Sequence, residues 1–232
     1  MDICFILVEP AVPGNVGAAA RAIKTMGFKH LRLVNPCDHL SMEAKMLAHA
    51  SGEILEEAEI YPGLAEAVAD LDLSIATTAK ARDARVEFHL NTELPELIRS
   101  KGKMVNHTGI VFGREESGLS NDEIRICDLA STIPLKQPYP SLNLAQAVMI
   151  YAYTLADFSA REKAVKNSGI PQSDVSVSDP EQYRIMMDRS KDALRKIGIE
   201  KNPALYNRIL ERIALLNEDD IHLLLSVLAK LE

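Results

Sequence analysis

Short apolar runs alternate with stretches of helical periodicity along the first two thirds of the chain. Runs long enough for buried strands occur at residues 3–8, 30–34, 71–77, 109–112 and 130–133. Strands that alternate with helices are typical of a mainly parallel sheet with helices on both faces. The pattern therefore predicts an α/β fold.

Helical spacing separates these runs, and it returns near the end of the chain. The predicted helices of the first part are 16–26, 41–55, 63–70, 93–100, 120–126 and 142–158. Gly27 follows the first helix and suits a left-handed helix stop. The stretch 159–180 is poor in large apolar residues, which predicts a linker. We therefore expect a main domain at 1–158 and a small helical extension at 181–232.

The extension shows apolar residues at helical spacing in three segments, 183–197, 204–213 and 219–231. It has too few residues for a robust core of its own. We expect it to pack either on the main domain or on a second subunit.

Composition excludes several classes of protein. Of the 232 residues, 47% are hydrophobic and 25% are charged, which is ordinary for a globular chain. No stretch reaches the roughly 20 apolar residues of a bilayer span, and no basic signal peptide opens the sequence, so we expect a cytoplasmic protein. The three cysteines and six histidines are scattered. We expect reduced thiols and no metal site.

The charge is unevenly distributed. The formal net charge is -7, and residues 41–72 alone account for it with eight carboxylates and one lysine. The remainder sums to zero and contains basic clusters at 21–32 and 183–212. An anionic ligand such as RNA is therefore compatible with the overall acidity.

Residues 9–28 read as the end of a strand, a glycine turn and a helix. Asn15 stands where an N-cap would, and a helix start offers free N–H groups to an anion or a polar substrate edge. Geometry alone explains such a turn equally well. The spacing from Gly14 to Ala20 lacks the glycine fingerprint of nicotinamide enzymes. Arg21 follows three alanines, which permit close approach by a ligand or another chain.

Two further turns follow later strands. The second turn, GIVFGREESGLSNDE, covers residues 109–123, and the third turn, STIPLKQPYPSLNLAQAV, covers residues 131–148, after the first turn at 9–28. Turns at the carboxyl ends of parallel strands usually line the ligand crevice of an open α/β sheet. The three turns together predict one site.

These motifs together resemble the SpoU (TrmH) branch of the SPOUT RNA 2′-O-methyltransferases. The segments are N-x-G-x-x-x-R, V-F-G-R-E-x-x-G-L-S and I-P-x…S-L-N-L-A-x-A-V, within a likeness that covers about 3–158. Glu9-Pro10 before the first turn and the helical extension resemble the TrmJ subgroup most. That subgroup methylates the ribose at position 32 of the tRNA anticodon loop.

The resemblance implies a fold, a cofactor and a partner. The carboxyl-terminal part of the sheet would form a deep trefoil knot that binds S-adenosylmethionine, and the protein would act on tRNA as a homodimer. The cofactor-binding residues it implies are Thr77, Thr78, Ala79, Gly113, Ile133, Pro134, Ser141, Leu142 and Asn143. The catalytic residues it implies are Arg21, Asn15, Glu115, Ser141 and Asn143.

The central role in that set falls to Arg21, which would approach the cofactor bound by the other subunit. A guanidinium stays protonated at neutral pH. We therefore expect Arg21 to clamp a phosphate and stabilise developing negative charge, not to act as a base. The basic residues of α-helical segment 183–197 are candidates for tRNA contact or, equally, for stabilising a dimer.

Two alternatives remain open from the sequence. The same chemistry could act on ribosomal RNA or on another tRNA site, as it does in relatives. A non-catalytic RNA-binding protein could also retain the fold.

Overall fold

The structure of the chain is a computed structural model that describes residues 2–79, 88–137, 141–167 and 182–230. The strands in these ranges are β1 (Asp2–Val8), β2 (His30–Val34), β3 (Glu59–Tyr61), β4 (Leu73–Thr77), β5 (Phe88–Leu90), β6 (His107–Phe112) and β7 (Leu129–Thr132). All their pairings are parallel, and the sheet order is β3-β2-β1-β6-β4-β7-β5. The predicted parallel α/β fold is confirmed.

Helices connect the strands and continue beyond them. Those of the described ranges are α1 (Pro13–Thr25), α2 (Met42–Ala48), α3 (Gly52–Glu56), α4 (Leu64–Val68), α5 (Leu94–Arg99), α6 (Asn121–Ile126), α7 (Leu144–Asn167), α8 (Gln182–Lys196), α9 (Pro203–Ala214) and α10 (Glu218–Leu228). Single 3₁₀ turns lie at His49–Ser51, Asn91–Glu93, Gly102–Met104 and Ile199–Lys201.

The central strand β1 shows why both faces of the sheet are covered. Ile3, Phe5 and Leu7 belong to one buried apolar cluster, whereas Cys4, Ile6 and Val8 belong to another. Successive side chains of a strand point to opposite faces, so each face of the sheet has its own core. The larger core includes residues of α1 and α7, and the smaller one includes residues of α4 and α6.

Three predicted boundaries were wrong. The helix predicted at 41–55 is broken at His49, whose φ of 51° cannot belong to a right-handed helix. α1 begins at Pro13, because proline is preorganised for the first helical position, and Val12 replaces Asn15 as its N-cap. α7 runs to Asn167, beyond the predicted end at 158, because 159–167 is rich in good helix formers.

The glycine after α1 has its predicted role, because Gly27 has a φ of 85°, which confirms the left-handed helix stop. The short strands β3 and β5 were missed. The rest of the predicted linker, from 168 on, lies outside the described residues, and the division into domains stays a prediction. The trefoil knot also stays a prediction.

The helical extension packs on the main domain, the first of the two predicted alternatives. Tyr183, Met186, Ala214 and Ile221 are buried in the same apolar cluster as the residues of β1 and α7. The junction between α9 and α10 is also held by a hydrogen bond from the Glu218 N–H to the Ser100 carbonyl, 3.0 Å long. The extension and the sheet therefore share one core.

Lys101 makes the most specific contact between the two parts. Its side chain is fully buried, and its Nζ donates to the backbone carbonyls of Ala214 and Leu216. The same Nζ lies 5.5 Å from the ring centroid of Tyr183 on α8. Burial, partly opposed by the charge of Asp128, lowers the pKa of Lys101 to about 8.

Replacing Lys101 by methionine is expected to destabilise the fold by about 2–4 kcal/mol, because two buried carbonyls lose their donor. Urea unfolding measures the loss, and the exposed Lys103→Met is the matched control. The lysine's pKa is lowered on folding, so burying its charge costs most below about pH 8. The stability difference between wild type and Lys101→Met should therefore grow as pH rises from 8 toward 10.5. Equal stability of the two proteins would contradict this account.

Candidate active site at the carboxyl ends of the strands

The loops that follow β4, β6 and β7 lie side by side, because these strands are neighbours in the sheet. They enclose a cavity of about 260 Å³. The predicted cofactor-binding residues that line it are Thr77, Thr78, Ala79, Gly113, Ile133, Ser141 and Leu142. Pro134 and Asn143 are not among its lining residues. The second and third turns thus meet here with the loop after β4, and the roles of their residues stay a prediction.

The turn after β6 folds back closely on itself. A Cβ atom on Gly113 would lie 2.2 Å from the backbone carbon of Gly118 and 2.2 Å from the nitrogen of Leu119. Gly118 has a φ of 68°, a left-handed conformation that favours glycine. The two glycines therefore create the wall of the cavity through backbone geometry.

The lining combines apolar and polar groups. Ile133, Leu135, Leu142 and Leu144 give it an apolar part, and hydroxyls at Thr77, Thr78 and Ser141 give it polar points. Such a mixture suits a ligand with a flat apolar ring and a polar sugar, and it fits the adenosine part of S-adenosylmethionine.

Tyr151, which the sequence analysis missed, closes the inner end of the cavity. Its hydroxyl donates to Ser131 Oγ over 3.0 Å, and its side chain is buried. Burial raises the pKa of Tyr151 despite the bond to Ser131, so the hydroxyl stays protonated. In the sequence, Tyr151 lies one helical turn after Ala147 of the third motif. That spacing is the signal that could have identified Tyr151 as a residue of the site.

Glu115 connects the second turn to the first. Its carboxylate accepts the N–H of Ala11 at 3.1 Å, the N–H of Val12 at 3.2 Å and the Asn15 Nδ2 at 2.9 Å. Burial raises the pKa of Glu115, but these hydrogen bonds together outweigh it and leave the pKa below its usual range. Glu115 is therefore a charged acceptor at neutral pH.

Asn143 extends this connection to the third turn. Its Nδ2 donates to Asn15 Oδ1 over 2.8 Å, and its Oδ1 accepts the N–H of Ala145 over 2.8 Å. Asn15 thus serves as a link between Glu115 and Asn143, in place of the predicted N-cap role. One chain of side chains joins all three turns.

Ser141 and Arg21 stand apart from this chain. Ser141 is exposed at the mouth of the cavity, which it lines. Arg21 is exposed on α1, beyond the half-buried Ala18, and does not line the cavity of its own chain. The structure therefore unites Asn15, Glu115 and Asn143 but leaves Arg21 outside.

Gly17 of the first motif has a packing function. A Cβ atom there would lie 2.1 Å from the carbonyl oxygen of Ala44 on α2. The glycine lets α1 and α2 approach closely and so fixes the helix that carries Asn15 and Arg21.

In the described parts of the chain, no helix is long and apolar enough to cross a membrane. No group of three histidine, cysteine or acidic side chains in the same parts could hold a metal ion.

Known proteins resemble this chain over most or all of its length. Residues 2–153 match the model of the SpoU rRNA Methylase family. The uncharacterized tRNA/rRNA methyltransferase LasT of Escherichia coli is 36% identical over 100% of this chain and 98% of its own. The tRNA (cytidine-2′-O-)-methyltransferase TrmJ of Methanocaldococcus jannaschii is 38% identical over 69% of this chain and 70% of its own.

A solved structure shows that the likeness in fold also covers the whole chain. TrmJ from Z. mobilis is 28% identical, covers 100% of this chain and 99% of its own, and has a TM-score of 0.68. The sequence motifs, the joined turns and the family match lead to one conclusion. The chain belongs to the SpoU methylase family.

Proposed function

We propose that this protein is an S-adenosylmethionine-dependent tRNA ribose 2′-O-methyltransferase that acts on nucleotide 32 of the anticodon loop. The observation that carries the proposal is the side-chain link from Glu115 through Asn15 to Asn143 beside the cavity. The relative from Methanocaldococcus jannaschii, a tRNA (cytidine-2′-O-)-methyltransferase, supports the reaction and the tRNA substrate.

The cavity offers the groups that would hold S-adenosylmethionine. Ile133 and Leu142 would contact its apolar part, and Thr77, Thr78 and Ser141 would bind polar edges. The bound molecule supplies an activated methyl group on a sulfonium. The protein's own task is to hold a ribose hydroxyl in line with that group and to exclude competing orientations.

The polar residues divide that task. Glu115 holds the first turn through Ala11, Val12 and Asn15, so the start of α1, which carries Asn15, is fixed before RNA binds. Arg21 contributes a permanent positive charge and a planar set of donors, which suit a backbone phosphate and a developing oxyanion. The ribose proton would leave to that phosphate or to water.

A second subunit would complete the site, because Arg21 lies outside the cavity of its own chain. Exposed apolar side chains surround its helix: Met42 is 81% exposed, Met46 is 72% exposed and Tyr153 is 71% exposed. They lie on α2 and α7, both of which pack against α1. Exposed apolar patches of this kind mark protein interfaces. We propose a homodimer that brings Arg21 to the partner's cavity.

One alternative has specific support. LasT, which matches this chain over its full length, is named as a tRNA/rRNA methyltransferase. Ribosomal RNA is therefore the second candidate substrate for the same reaction.

Labelled methyl transfer separates the candidates. Purified protein is incubated with labelled S-adenosylmethionine and with tRNA transcripts that carry either ribose or deoxyribose at nucleotide 32. We expect label on the ribose transcript and loss of at least about 100-fold on the deoxy transcript, because the acceptor hydroxyl is gone. Matched ribosomal RNA fragments are the comparison. Equal label on both transcripts would contradict position 32, and label on ribosomal RNA alone would favour the alternative.

A further inference from the structure

Arg114 lies at the start of the second turn and makes three separate connections. Its Nε donates to Glu9 Oε2 over 2.7 Å, at the end of β1. Its two terminal nitrogens each donate over 3.0 Å to one oxygen of Glu123 on α6. Its Nη1 also lies 3.4 Å from the Gly118 carbonyl, within its own turn. One guanidinium thus joins β1, the second turn and α6.

The two ends of this connection are themselves constrained. Glu9 has a φ of 47°, which is an uncommon conformation for a residue other than glycine. Glu123 also accepts the Ser120 N–H over 2.6 Å and so caps α6. The Arg114 guanidinium therefore links Glu9, which has an uncommon backbone conformation at the end of β1, to Glu123 in the capped first turn of α6.

Arg114 is also the immediate neighbour of Glu115. The first residue binds Glu9, and the second binds Ala11, Val12 and Asn15. Two adjacent residues of the second turn therefore hold the loop between β1 and α1 at both of its ends. A slip of the second turn would displace Glu115 from all three of its donors.

We propose that Arg114 is a positioning residue that fixes Glu115, and through it Asn15, relative to the cavity. It fills this role because only a guanidinium can bind two carboxylates with one planar set of donors. A lysine offers a single nitrogen and could not reach both Glu9 and Glu123 with the same geometry. The proposal rests on the proposed function.

The test compares Arg114→Lys and Arg114→Met with the matched control Arg125→Lys, an exposed arginine of α6 that pairs with Asp122. Both Arg114 variants should lower kcat for methyl transfer by about 10- to 100-fold, and the control should not. Hydrogen exchange at the Ala11 and Val12 amides should accelerate at least about 10-fold in both variants, because their acceptor moves. A purely structural role would change stability without this localised exchange.

A double-mutant cycle with Glu9→Gln provides a second route if Arg114→Met folds poorly. Glu9→Gln alone should lower kcat, and it should add little to Arg114→Lys, because the two changes break the same connection. Fully additive effects, or wild-type kcat in the Arg114 variants, would overturn the proposal. Unchanged exchange at Ala11 and Val12 would overturn it as well. If the wild type methylates no RNA, the proposed function fails instead, while the exchange experiment still tests the position of Glu115.

Discussion

Replacement of Arg21 by alanine is expected to lower the rate of methyl transfer by about 1000-fold, the largest effect of any single substitution at this site. The side chain is exposed, so the fold should survive its loss. Binding of S-adenosylmethionine, measured by calorimetry, should change little. Single-turnover transfer to tRNA measures the loss.

Arg21→Lys refines this prediction. A lysine keeps the charge but loses the planar fork, so we expect a loss of about 100-fold. Lys103→Ala, an exposed cation outside the basic clusters at 21–32 and 183–212, is the control and should keep wild-type turnover. Near-full turnover of Arg21→Lys would contradict a fork-shaped clamp at this position.

Gly113→Val is expected to weaken binding of S-adenosylmethionine by at least about 100-fold. The second turn forms one side of the cavity, and its backbone cannot keep this conformation with a side chain at residue 113. The added Cβ would meet backbone atoms 2.2 Å away, and backbone cannot move as cheaply as a flexible side chain. Calorimetry measures the affinity.

Two further variants distinguish loss of the cavity in a folded protein from general misfolding. Gly52→Ala is the control, because a Cβ there meets no atom within 4 Å. Ala147→Met would fill the cavity from α7 without disturbing the turn, and it should weaken binding as well. Wild-type affinity in both Gly113→Val and Ala147→Met would show that this cavity is not the binding site.

Sequence patterns predicted the centre of the sheet and the three turns that meet at the candidate site. β1 and β4 are largely apolar runs because they are buried on both faces. β3 and β5 are edge strands of three residues each, too short for a pattern to stand out. The motif spacing located the three turns, since a glycine that admits close backbone approach is visible in a sequence.

Other features depend on contacts between distant residues. Asn15 is a favoured N-cap residue, yet Pro13 starts the helix earlier and leaves Asn15 free for a partner 100 residues away. Arg114 and Glu9 are 105 residues apart, and no local pattern pairs them. Lys101 is buried, although lysine is ordinarily a surface residue. Each of these positions is decided by tertiary contacts that a single sequence does not display.

We propose that one complete site needs the cavity of one subunit and Arg21 of another. Arg21→Ala and Gly113→Val each remove one half of that site, so a mixture of the two variants, reassembled after mild dissociation, tests the claim most directly. Random pairing would give unlike subunits in half of all the dimers that form. Each of these heterodimers would hold one complete site out of two, so we predict recovery of about a quarter of wild-type methyl transfer. A mixture that stays as inactive as its two components would contradict a shared site.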